Sequence, residues 1–537
     1  MNIKLQLLFV FFTGIIIAQE DAWVYFTDKP DASYYMNNPL EMLSQRALDR
    51  RTNQNIQLDD LDIPISITYI NEIENTSGIS VLAKSKWLNA LHIRGIQTDI
   101  QALTNYNFVD HIQFANHTLN PSNRSSNAQR ANNTYDKFEV LADFNYGNSN
   151  NQIQMLNGHL LHEQDYTGQG KIIAILDAGF PGVNTAQPFQ RLFDNNLILG
   201  GYNFPDRDTN IYTRHYHGTN VLSTMGGFSD GELVGTAPDA QYYLFITEDS
   251  TSENPVEESY WVEALEMADS LGVDIVNSSL GYTNYDNINY SYDYSKRNGE
   301  IGFASRGASL AMSKGIVCVV SAGNDGNKQE KHISIPADAE NILAVGAVTN
   351  TESYASFSSI GTSFDGRVKP DVCAKGQGVT ISNPSGNILS NGNGTSFASP
   401  ILAGMIASFW SAVPNLTASQ VIKYVKESAD QFSTPDQYKG YGVPDFQLAI
   451  TNVLSSQNVT LSVISIYPNP FTNVLKIKQN KNVIGKFVLY NNLGMKVLDV
   501  NVINDEQDIQ LETLSSGIYL YDFSSNNINL QGKLIKQ

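Results

Sequence analysis

Cysteine is scarce in this chain. Cys318 and Cys373 are the only two among 537 residues, so a framework of several disulfides is excluded. Both lie in apolar segments, VCVV and DVCA. Such surroundings are compatible with a single bridge or with two buried free thiols, and the sequence leaves both possibilities open.

Basic residues are also in short supply. The chain has 34 lysines and arginines against 54 aspartates and glutamates, which gives a formal net charge of −20. Such a surface repels nucleic acid and anionic membranes, so we exclude both as partners. A hydrophobic content of 42% is typical of globular protein, and the length predicts roughly two to four domains.

Long hydrophobic runs are missing except at the N-terminus. Lys4 precedes an almost wholly apolar run from Leu5 to Ile17, and Ala18 supplies a small residue before a cleavage point. This pattern predicts a secretory signal peptide over residues 1–18. An uncleaved anchor is the alternative, but the run is too short for a comfortable membrane span. We therefore expect a soluble mature protein with no stable membrane span.

Three further segments differ from one another in their pattern of polar and apolar residues. Residues 19–137 alternate strand-like and helix-like stretches, which favours a small α+β domain. Within them, residues 119–136 are polar, as expected of an exposed linker open to proteolysis. After a short polar linker at 456–463, residues 464–537 consist of short strand-like runs between turn signals, which predicts an all-β sandwich.

Residues 138–455 form the largest predicted domain. Apolar runs that are continuous rather than alternating are typical of strands buried on both faces of a parallel sheet. Such runs occur along this segment: KIIAILD (171–177), AQYYLFI (240–246), VDIVNSSLG (273–281), GIVCVVSAG (315–323) and ILAVGAV (342–348). Helix-like stretches separate them, so we predict a doubly wound, mostly parallel α/β fold. Residues 282–300, rich in Asn and Tyr, are predicted to be a long surface loop.

The stretch NGTSFASP combines a polar loop with the start of a helix. The apolar run from Phe397 to Trp410 predicts a buried helix with Pro400 in its first turn, where proline is tolerated. Ser396 then lies at the helix N-terminus, where unpaired N–H groups and the helix dipole favour a developing negative charge. A serine in this place is either a nucleophile or the N-cap of a core helix.

A serine nucleophile needs a base, and the base needs an orienting acid. Asp177 ends a predicted strand, and open α/β sheets place their ligands at the C-terminal ends of parallel strands. His217 begins HGTNVLSTMGG, which indicates a loop leading into a helix. Because the two residues and Ser396 are far apart in the sequence, only the fold can bring them together.

The order Asp, His, Ser along the chain is the order found in subtilisin. The motifs ILDAG, HGTNV, SAGND and NGTSFASP agree with it, and over about residues 138–455 the chain resembles the subtilisin-like serine peptidase family. A lipase or esterase of the α/β-hydrolase type is excluded, because that fold has the order Ser, Asp, His and a G-x-S-x-G motif.

The resemblance implies a role for each residue. Ser396 would attack the scissile carbonyl, His217 would transfer the proton, and Asp177 would orient the imidazole. Asn324, in SAGND, would bind the oxyanion together with the backbone N–H of Ser396. Two backbone segments are implied to flank the substrate: Ser279, Leu280 and Gly281, and Ser321, Ala322 and Gly323.

Asn220 and His215 lie close to His217 in the sequence. The family commonly has a second histidine three positions later, where this chain has Asn220, and we expect little effect because that position is outside the triad. His215 is a rival base by residue type, but it lies outside the HGT motif.

The chemistry requires no cofactor. Calcium sites are usual in the family, but no dense acidic loop identifies one here, so no metal ligands are assigned.

The flanking segments extend the resemblance. Residues 19–137 occupy the place of the family's inhibitory, folding-assisting propeptide. Residues 464–537 resemble the type A sorting domain of the type IX secretion system through YPNPF, LYNNLG, LSSGIYLY and KLIK. An ordinary β-sandwich adhesion module is the alternative.

We therefore expect a secreted serine endopeptidase, extracellular or on the cell surface, that is made as a self-processed zymogen. Its expected partners are protein or peptide substrates, its own propeptide and the type IX secretion machinery. The alternative is a catalytically silent peptide-binding or adhesion protein on the same fold. The presence of Asp177, His217, Ser396 and Asn324 together favours the enzyme, because a binding protein has no need of all four.

Overall fold

A computed structural model describes the chain over these residues: 19–120, 144–462, 464–479, 485–491, 493–503, 506–525 and 528–537. The predicted signal peptide, the predicted boundary at 137/138 and nearly all of the predicted linker at 119–136 lie outside them. The chain divides into two compact units, residues 1–449 and 450–537.

The N-terminal part of the first unit is built on a four-stranded antiparallel sheet in the order β2-β3-β1-β4. Its elements are as follows: β1 (Gln19–Phe26), α1 (Ala32–Asn37), α2 (Gln45–Asn53), α3 (Ile67–Glu74), β2 (Ile79–Ser85), β3 (Ala90–Ile96), α4 (Gln97–Ala102) and β4 (Val109–Phe114). Successive side chains of a strand point to opposite faces. In β1, Val24 faces the core of this α+β part, whereas Trp23 and Tyr25 belong to a core shared with residues 144–449. Because those residues resemble a peptidase in sequence, they are called the catalytic part below.

The catalytic part contains a seven-stranded sheet in the order β13-β12-β11-β10-β5-β9-β6, in which every neighbouring pair is parallel. These strands are as follows: β5 (Ile172–Asp177), β6 (Ile198–Asn203), β9 (Gln241–Ile246), β10 (Ile275–Ser278), β11 (Val317–Ser321), β12 (Leu343–Val348) and β13 (Val372–Lys375). This confirms the predicted doubly wound α/β fold. The strand order switches between β5 and β10, and in open α/β sheets ligands bind at the carboxyl ends beside such a switch.

Helices and short hairpins complete the catalytic part. They are as follows: α5 (Asn150–Gln154), α6 (His159–His162), α7 (Gln190–Asp194), α8 (His217–Gly226), β7 (Phe228–Ser229), β8 (Leu233–Val234), α9 (Val256–Leu271), α10 (Phe303–Ala311), β14 (Gln377–Ser382), β15 (Ile388–Asn393), α11 (Thr395–Ala412), α12 (Ala418–Glu427) and α13 (Phe446–Ser462). Helices α9 and α10 pack on one face of the sheet and on the propeptide strands. Helices α8 and α11 pack together and against the sheet strands. No helix in the described ranges is long and apolar enough to cross a membrane.

The loop over residues 282–300 was predicted to lie on the surface, and this prediction is wrong for four of its five tyrosines. Tyr285 and Tyr292 are buried, and their hydroxyls donate to the Glu258 carboxylate at 2.6 and 2.7 Å. Glu258 is fully buried, and burial raises its pKa. The loop is thus held against α9 by a buried acid far away in the sequence, which composition does not reveal.

Residues 464–537 of the C-terminal unit are all-β, as predicted. They form a three-stranded sheet, β16-β17-β20, and a four-stranded sheet, β19-β18-β21-β22. The strands are as follows: β16 (Ile464–Tyr467), β17 (Val474–Gln479), β18 (Gly485–Tyr490), β19 (Lys496–Val502), β20 (Glu506–Gln510), β21 (Gly517–Ser525) and β22 (Ile528–Lys536). The predicted linker at 456–463 is largely helical, because α13 continues to Ser462. This stretch is polar, but it contains neither glycine nor proline to end a helix.

The two cysteines are free and buried. Cys318 lies in β11 and Cys373 in β13, with β12 between them. Neighbouring strands lie about 4.8 Å apart, so strands two positions apart exceed the Cα separation of about 7 Å that a disulfide tolerates. Of the two possibilities left open by the sequence, the structure has the free thiols. Burial raises the pKa of Cys318 to about 12.

A buried carboxylate anchors the strand that leads towards the NGTSFASP motif. Asp371, just before β13, accepts hydrogen bonds from the ammonium groups of Lys369 at 2.7 Å and Lys426 at 2.8 Å. It also accepts from the backbone N–H of Ala344 at 2.9 Å. Burial alone would raise the pKa of Asp371, but the two ammonium groups lower it to about 2.

We expect Asp371→Asn to destabilise the protein in a pH-dependent way. A depressed carboxyl pKa contributes stability that is present above the unfolded-state pKa of about 3.9 and is lost as the pH falls towards 2, on the order of 2–3 kcal/mol. Calorimetric melting of parent and variant, both carrying Ser396→Ala, should show a lower Tm for the variant at pH 7. The difference should shrink below about pH 4. Asp194→Asn, an exposed change in α7, is the control, and a difference constant down to pH 2 would contradict the assignment.

Candidate active site

Asp177 is the last residue of β5 and is completely buried. Its Oδ1 atom accepts hydrogen bonds from the backbone N–H of Ala178 at 2.7 Å and from Nδ1 of His217 at 2.8 Å. Its Oδ2 atom has no hydrogen-bond partner among the described residues. The carboxylate is therefore fixed facing the imidazole. A proton held on Nδ1 leaves Nε2 as the basic atom of the ring.

His217 is the first residue of α8, whose N-terminus lies close to the end of β5. Gly218 permits this approach, because a Cβ atom there would lie 2.5 Å from the carbonyl oxygen of Gly179. Burial alone would lower the pKa of His217. The charge and hydrogen bond of Asp177 raise it, with a further contribution from Glu248, so that the pKa lies above its ordinary value.

The two other residues considered near His217 have different surroundings. Nδ1 of His215 accepts a hydrogen bond from the backbone N–H of His217 at 3.3 Å, and it is His217, not His215, whose ring is bonded to Asp177. Asn220 is 7% exposed in the next turn of α8. Its Oδ1 atom has no hydrogen-bond partner in the described part of the chain.

Ser396 is the second residue of α11, which begins at Thr395. The helix starts two residues earlier than predicted, so Pro400 lies in its second turn and not in its first. Proline lacks the N–H that would bond to the carbonyl four residues earlier, which here is the carbonyl of Ser396. The hydroxyl of Ser279 donates to that carbonyl at 2.8 Å instead.

The Ser396 hydroxyl donates to the backbone carbonyl of Ser279 at 3.2 Å and not to His217. The ring of the next residue, Phe397, lies 6.1 Å from the His217 ring, so the start of α11 packs beside the imidazole. A rotation about the Cα–Cβ bond of Ser396 is the movement that would redirect its hydroxyl, and such bonds are often unformed in enzymes without substrate. The N-cap of α11 is Gly394, so the alternative that Ser396 is the N-cap is wrong.

Asn324 lies beside the start of α11. Its Oδ1 atom accepts hydrogen bonds from the backbone N–H of Thr395 at 2.9 Å and from the Thr395 hydroxyl at 3.1 Å. With the oxygen so occupied, the orientation of the amide is fixed and its Nδ2 donors are available on the other side. The Thr395 hydroxyl is in turn held by the backbone of Gly323.

The two backbone segments predicted to flank a substrate lie side by side. Ser279, Leu280 and Gly281 follow β10, while Ser321 ends β11 and is followed by Ala322 and Gly323. Because β10 and β11 are parallel neighbours, both segments meet at the C-terminal edge of the sheet. The Ser321 hydroxyl, which donates to the carbonyl of Leu280 at 3.3 Å, joins them.

Two further residues belong to this candidate site and were not predicted from the sequence. Thr395 positions the Asn324 amide, and its place inside the NGTSFASP motif was a usable signal. Glu248 follows β9, and its Oε1 atom accepts hydrogen bonds from the hydroxyls of Tyr282 at 2.7 Å and Thr247 at 3.0 Å. Burial raises the pKa of Glu248 to about 7. No motif in the sequence indicates this residue.

Metal ligands are not gathered at this edge. Within the ranges that the structure describes, no group of three or more His, Cys, Asp or Glu side chains could hold a metal ion. As in the sequence analysis, no residues are therefore assigned as calcium ligands.

Three parts of the chain match known families. Residues 168–442 match the subtilase family, peptidase S8. Residues 21–133 match a peptidase S8 propeptide domain of Bacteroidota, and residues 465–537 match a secretion system C-terminal sorting domain.

Individual relatives agree with the family matches. Subtilisin NAT from Bacillus subtilis subsp. natto is 30% identical over 302 residues, which cover 55% of this chain and 70% of the relative. The subtilisin of Bacillus pumilus is also 30% identical over 302 residues, covering 55% of this chain and 97% of the relative. Subtilisin Savinase from Lederbergia lenta is 27% identical over 292 residues, covering 54% and 93%.

The fold, the arrangement at the sheet edge and these matches define a class of protein, the serine peptidases that carry a propeptide and a C-terminal sorting domain. More particularly, the chain belongs to the subtilase family. The predicted resemblances are confirmed for all three parts. The sorting domain indicates secretion through the type IX system, to the cell surface or the extracellular space.

We expect Asp177→Asn to lower the pKa of His217. The amide keeps the size of the carboxylate but removes its charge, so burial would act on the imidazole almost unopposed and would take the pKa below its ordinary value. Titration of the His217 ring by NMR measures this directly. Asp206→Asn, which changes a carboxylate paired with Arg214, is the control. An unchanged pKa of His217 in Asp177→Asn would contradict the assignment.

Proposed function

We propose that this protein is a secreted serine endopeptidase in which Asp177, His217 and Ser396 form the catalytic triad. The observation that carries the proposal is the 2.8 Å hydrogen bond between the buried Asp177 and Nδ1 of His217, together with a serine at the start of α11. A peptide-binding protein without activity has no need of this bond. Membership of the subtilase family and relatives named subtilisins support the same reaction.

The proposed reaction follows from the positions of the atoms. Nε2 of His217 takes the proton of the Ser396 hydroxyl as Oγ forms a bond to the scissile carbonyl carbon, and the carbonyl π electrons move to its oxygen. Collapse of this tetrahedral species breaks the C–N bond, and the imidazolium gives its proton to the leaving amine. Water then repeats the sequence on the acyl-enzyme and releases the acid. Asp177 stabilises the imidazolium throughout without accepting the proton.

Charge on the substrate oxygen is stabilised by donors already in place. The Nδ2 group of Asn324 and the backbone N–H of Ser396 are the donors we assign to the oxyanion. Thr395 positions the amide by occupying its oxygen atom. The start of α11 adds the favourable end of its dipole. No cofactor takes part in these steps.

The substrate we propose is an extended peptide. Residues 279–281 and 321–323 present two backbone segments at the sheet edge, and an extended chain can pair with such segments as an added strand. We also propose that the protein is made with a cleaved signal peptide and as a zymogen that removes its own propeptide. The propeptide and sorting-domain matches support this route.

Labelling with a fluorophosphonate tests the nucleophile. We expect the purified wild-type protein to gain one label on Ser396 and to lose its propeptide, whereas Ser396→Ala does neither, because the proposed nucleophile has gone. Intact mass measurement reports both changes. Ser411→Ala, which alters a serine near the end of the same helix, is the matched control and should behave as wild type. A folded, propeptide-free wild-type protein that never labels would instead establish the binding-protein alternative.

A second experiment tests the role of Thr395. Thr395→Val keeps the shape of the side chain but removes the hydroxyl that holds the Asn324 amide. Loss of one neutral hydrogen bond of about 0.5–1.5 kcal/mol should lower kcat roughly 3- to 10-fold, with little change in KM. Thr395→Ser retains the hydroxyl and should retain most of kcat. Equal values of kcat for Thr395→Val and Thr395→Ser would exclude this positioning role.

A further inference from the structure

The propeptide carries a segment that lies outside its four-stranded sheet. Residues 38–63, here called the arm, contain α2 and a 3-10 turn at Asp60–Asp62. The arm has a small apolar core of its own, separate from the core beneath the sheet: Met42, Leu43, Ala47 and Ile63. It is therefore a distinct packing element within the propeptide.

Direct hydrogen bonds fix the arm to the catalytic part. The backbone N–H of Ser44 donates to the carbonyl of Ser270 at 2.8 Å. The side chain of Gln54 donates to the carbonyl of Gly315 at 2.9 Å and accepts from the backbone N–H of Ala418 at 2.8 Å. One propeptide side chain thus bridges the turn at Gly315 and the start of α12.

A glycine makes room for the arm. Gly272, which ends α9, has a φ of 85°, a conformation that favours glycine. A Cβ atom there would also lie 2.8 Å from the backbone nitrogen of Ala47 in α2. The surface of the peptidase is therefore shaped for close approach of this helix.

Asp269 is a buried acidic residue of the peptidase that pairs with basic residues of the propeptide. This aspartate of α9 is fully buried, and its carboxylate accepts from Arg50 at 2.5 Å and from Arg51 at 2.8 Å through each oxygen. Arg51 is 1% exposed and also pairs with Asp62 of the arm at 2.8 Å. Both arginines belong to the propeptide, so the propeptide supplies the close counter-charges of Asp269.

Lys314 is a buried basic residue of the peptidase that pairs with acidic residues of the propeptide. This lysine precedes β11 and is fully buried. Its ammonium group pairs with two arm residues, Asp59 at 2.6 Å and Asp62 at 3.4 Å. Each part of the molecule thus neutralises a buried charge of the other. Such reciprocal pairs hold two surfaces in one register, because removing either surface leaves a charge without its partner.

The arm binds far from the proposed active site. Its contacts at Ser270, Gly272 and Gly315 lie before β10 and β11, at the N-terminal edge of the sheet. Asp177 lies at the other edge, where β5 ends. Six residues of strand span about 20 Å, so the arm and the catalytic groups occupy opposite ends of the strands.

We propose that the arm is a second docking element, independent of the substrate groove, which retains the cleaved propeptide on the peptidase and sets how slowly it dissociates. The inference rests on the proposed function, because retention matters only if the propeptide is cut and the remaining enzyme is active. Two linked binding surfaces dissociate together far more slowly than either alone. Peptidase activity should accordingly appear later than cleavage of the propeptide. The contacts of the arm at the N-terminal edge of the sheet should set the length of this delay.

The test measures propeptide release without using catalysis. The full chain carries Ser396→Ala and a recognition site for a sequence-specific protease inserted after Arg130. After cutting, the dissociation rate of the propeptide is followed by native mass spectrometry on dilution. Two changes weaken the arm from opposite sides, namely Arg50→Met with Arg51→Met in the propeptide, and Asp269→Asn in the peptidase. Gln45→Met, on the exposed face of α2, is the matched control.

We expect both changes to increase the dissociation rate by about 100-fold or more, as loss of one member of a buried charge pair does in other complexes, while Gln45→Met leaves it unchanged. Rates for Asp269→Asn within about threefold of the control would overturn the proposal, because the effects of interface mutations appear mostly in the dissociation rate. A faster rate only for the arginine changes would also overturn it, because it would trace the effect to the propeptide's own folding. Since Ser396 is absent from every sample, failure of the labelling experiment would leave this result unaffected.

Discussion

The parallel alignment of β5, β10 and β11 is the constraint on which the site depends. Parallel neighbours end at the same edge of a sheet, so the acid that ends β5 and the two backbone segments that follow β10 and β11 must meet. Helices α8 and α11 then need only begin at that edge to add His217 and Ser396. The hydrogen bond between Asp177 and His217 is a consequence of this alignment and of the small residue at position 218.

The same strands separate the proposed chemistry from the contacts of the arm. Their carboxyl ends carry the candidate catalytic groups, and their amino ends lie beside Asp269 and Lys314, whose close partners lie in the propeptide. Parallel sheets depend on contacts between residues distant in sequence and form slowly. A propeptide that holds the amino ends of β10 and β11 in register therefore suits the folding of this sheet.

The sequence predicted the parts of this structure that local pattern determines. Continuous apolar runs located the parallel strands, and the motifs around Asp177, His217 and Ser396 located the site. What it could not predict depends on partners far away in the chain. The burial of Tyr285 and Tyr292 requires Glu258, and the function of α2 requires Asp269. The charged sequence QRALDRR alone resembles an exposed helix, because nothing local shows that its arginines are paired and buried.

The central claim is that Ser396 forms a covalent acyl-enzyme during peptide-bond hydrolysis. Rapid mixing of the propeptide-free enzyme with an activated peptide ester tests it most directly. We expect a burst of released alcohol equal to the enzyme concentration, and an acyl mass on the proteolytic fragment that contains Ser396. Linear release without a burst, together with no acyl group on that fragment when the reaction is quenched in acid, would contradict it.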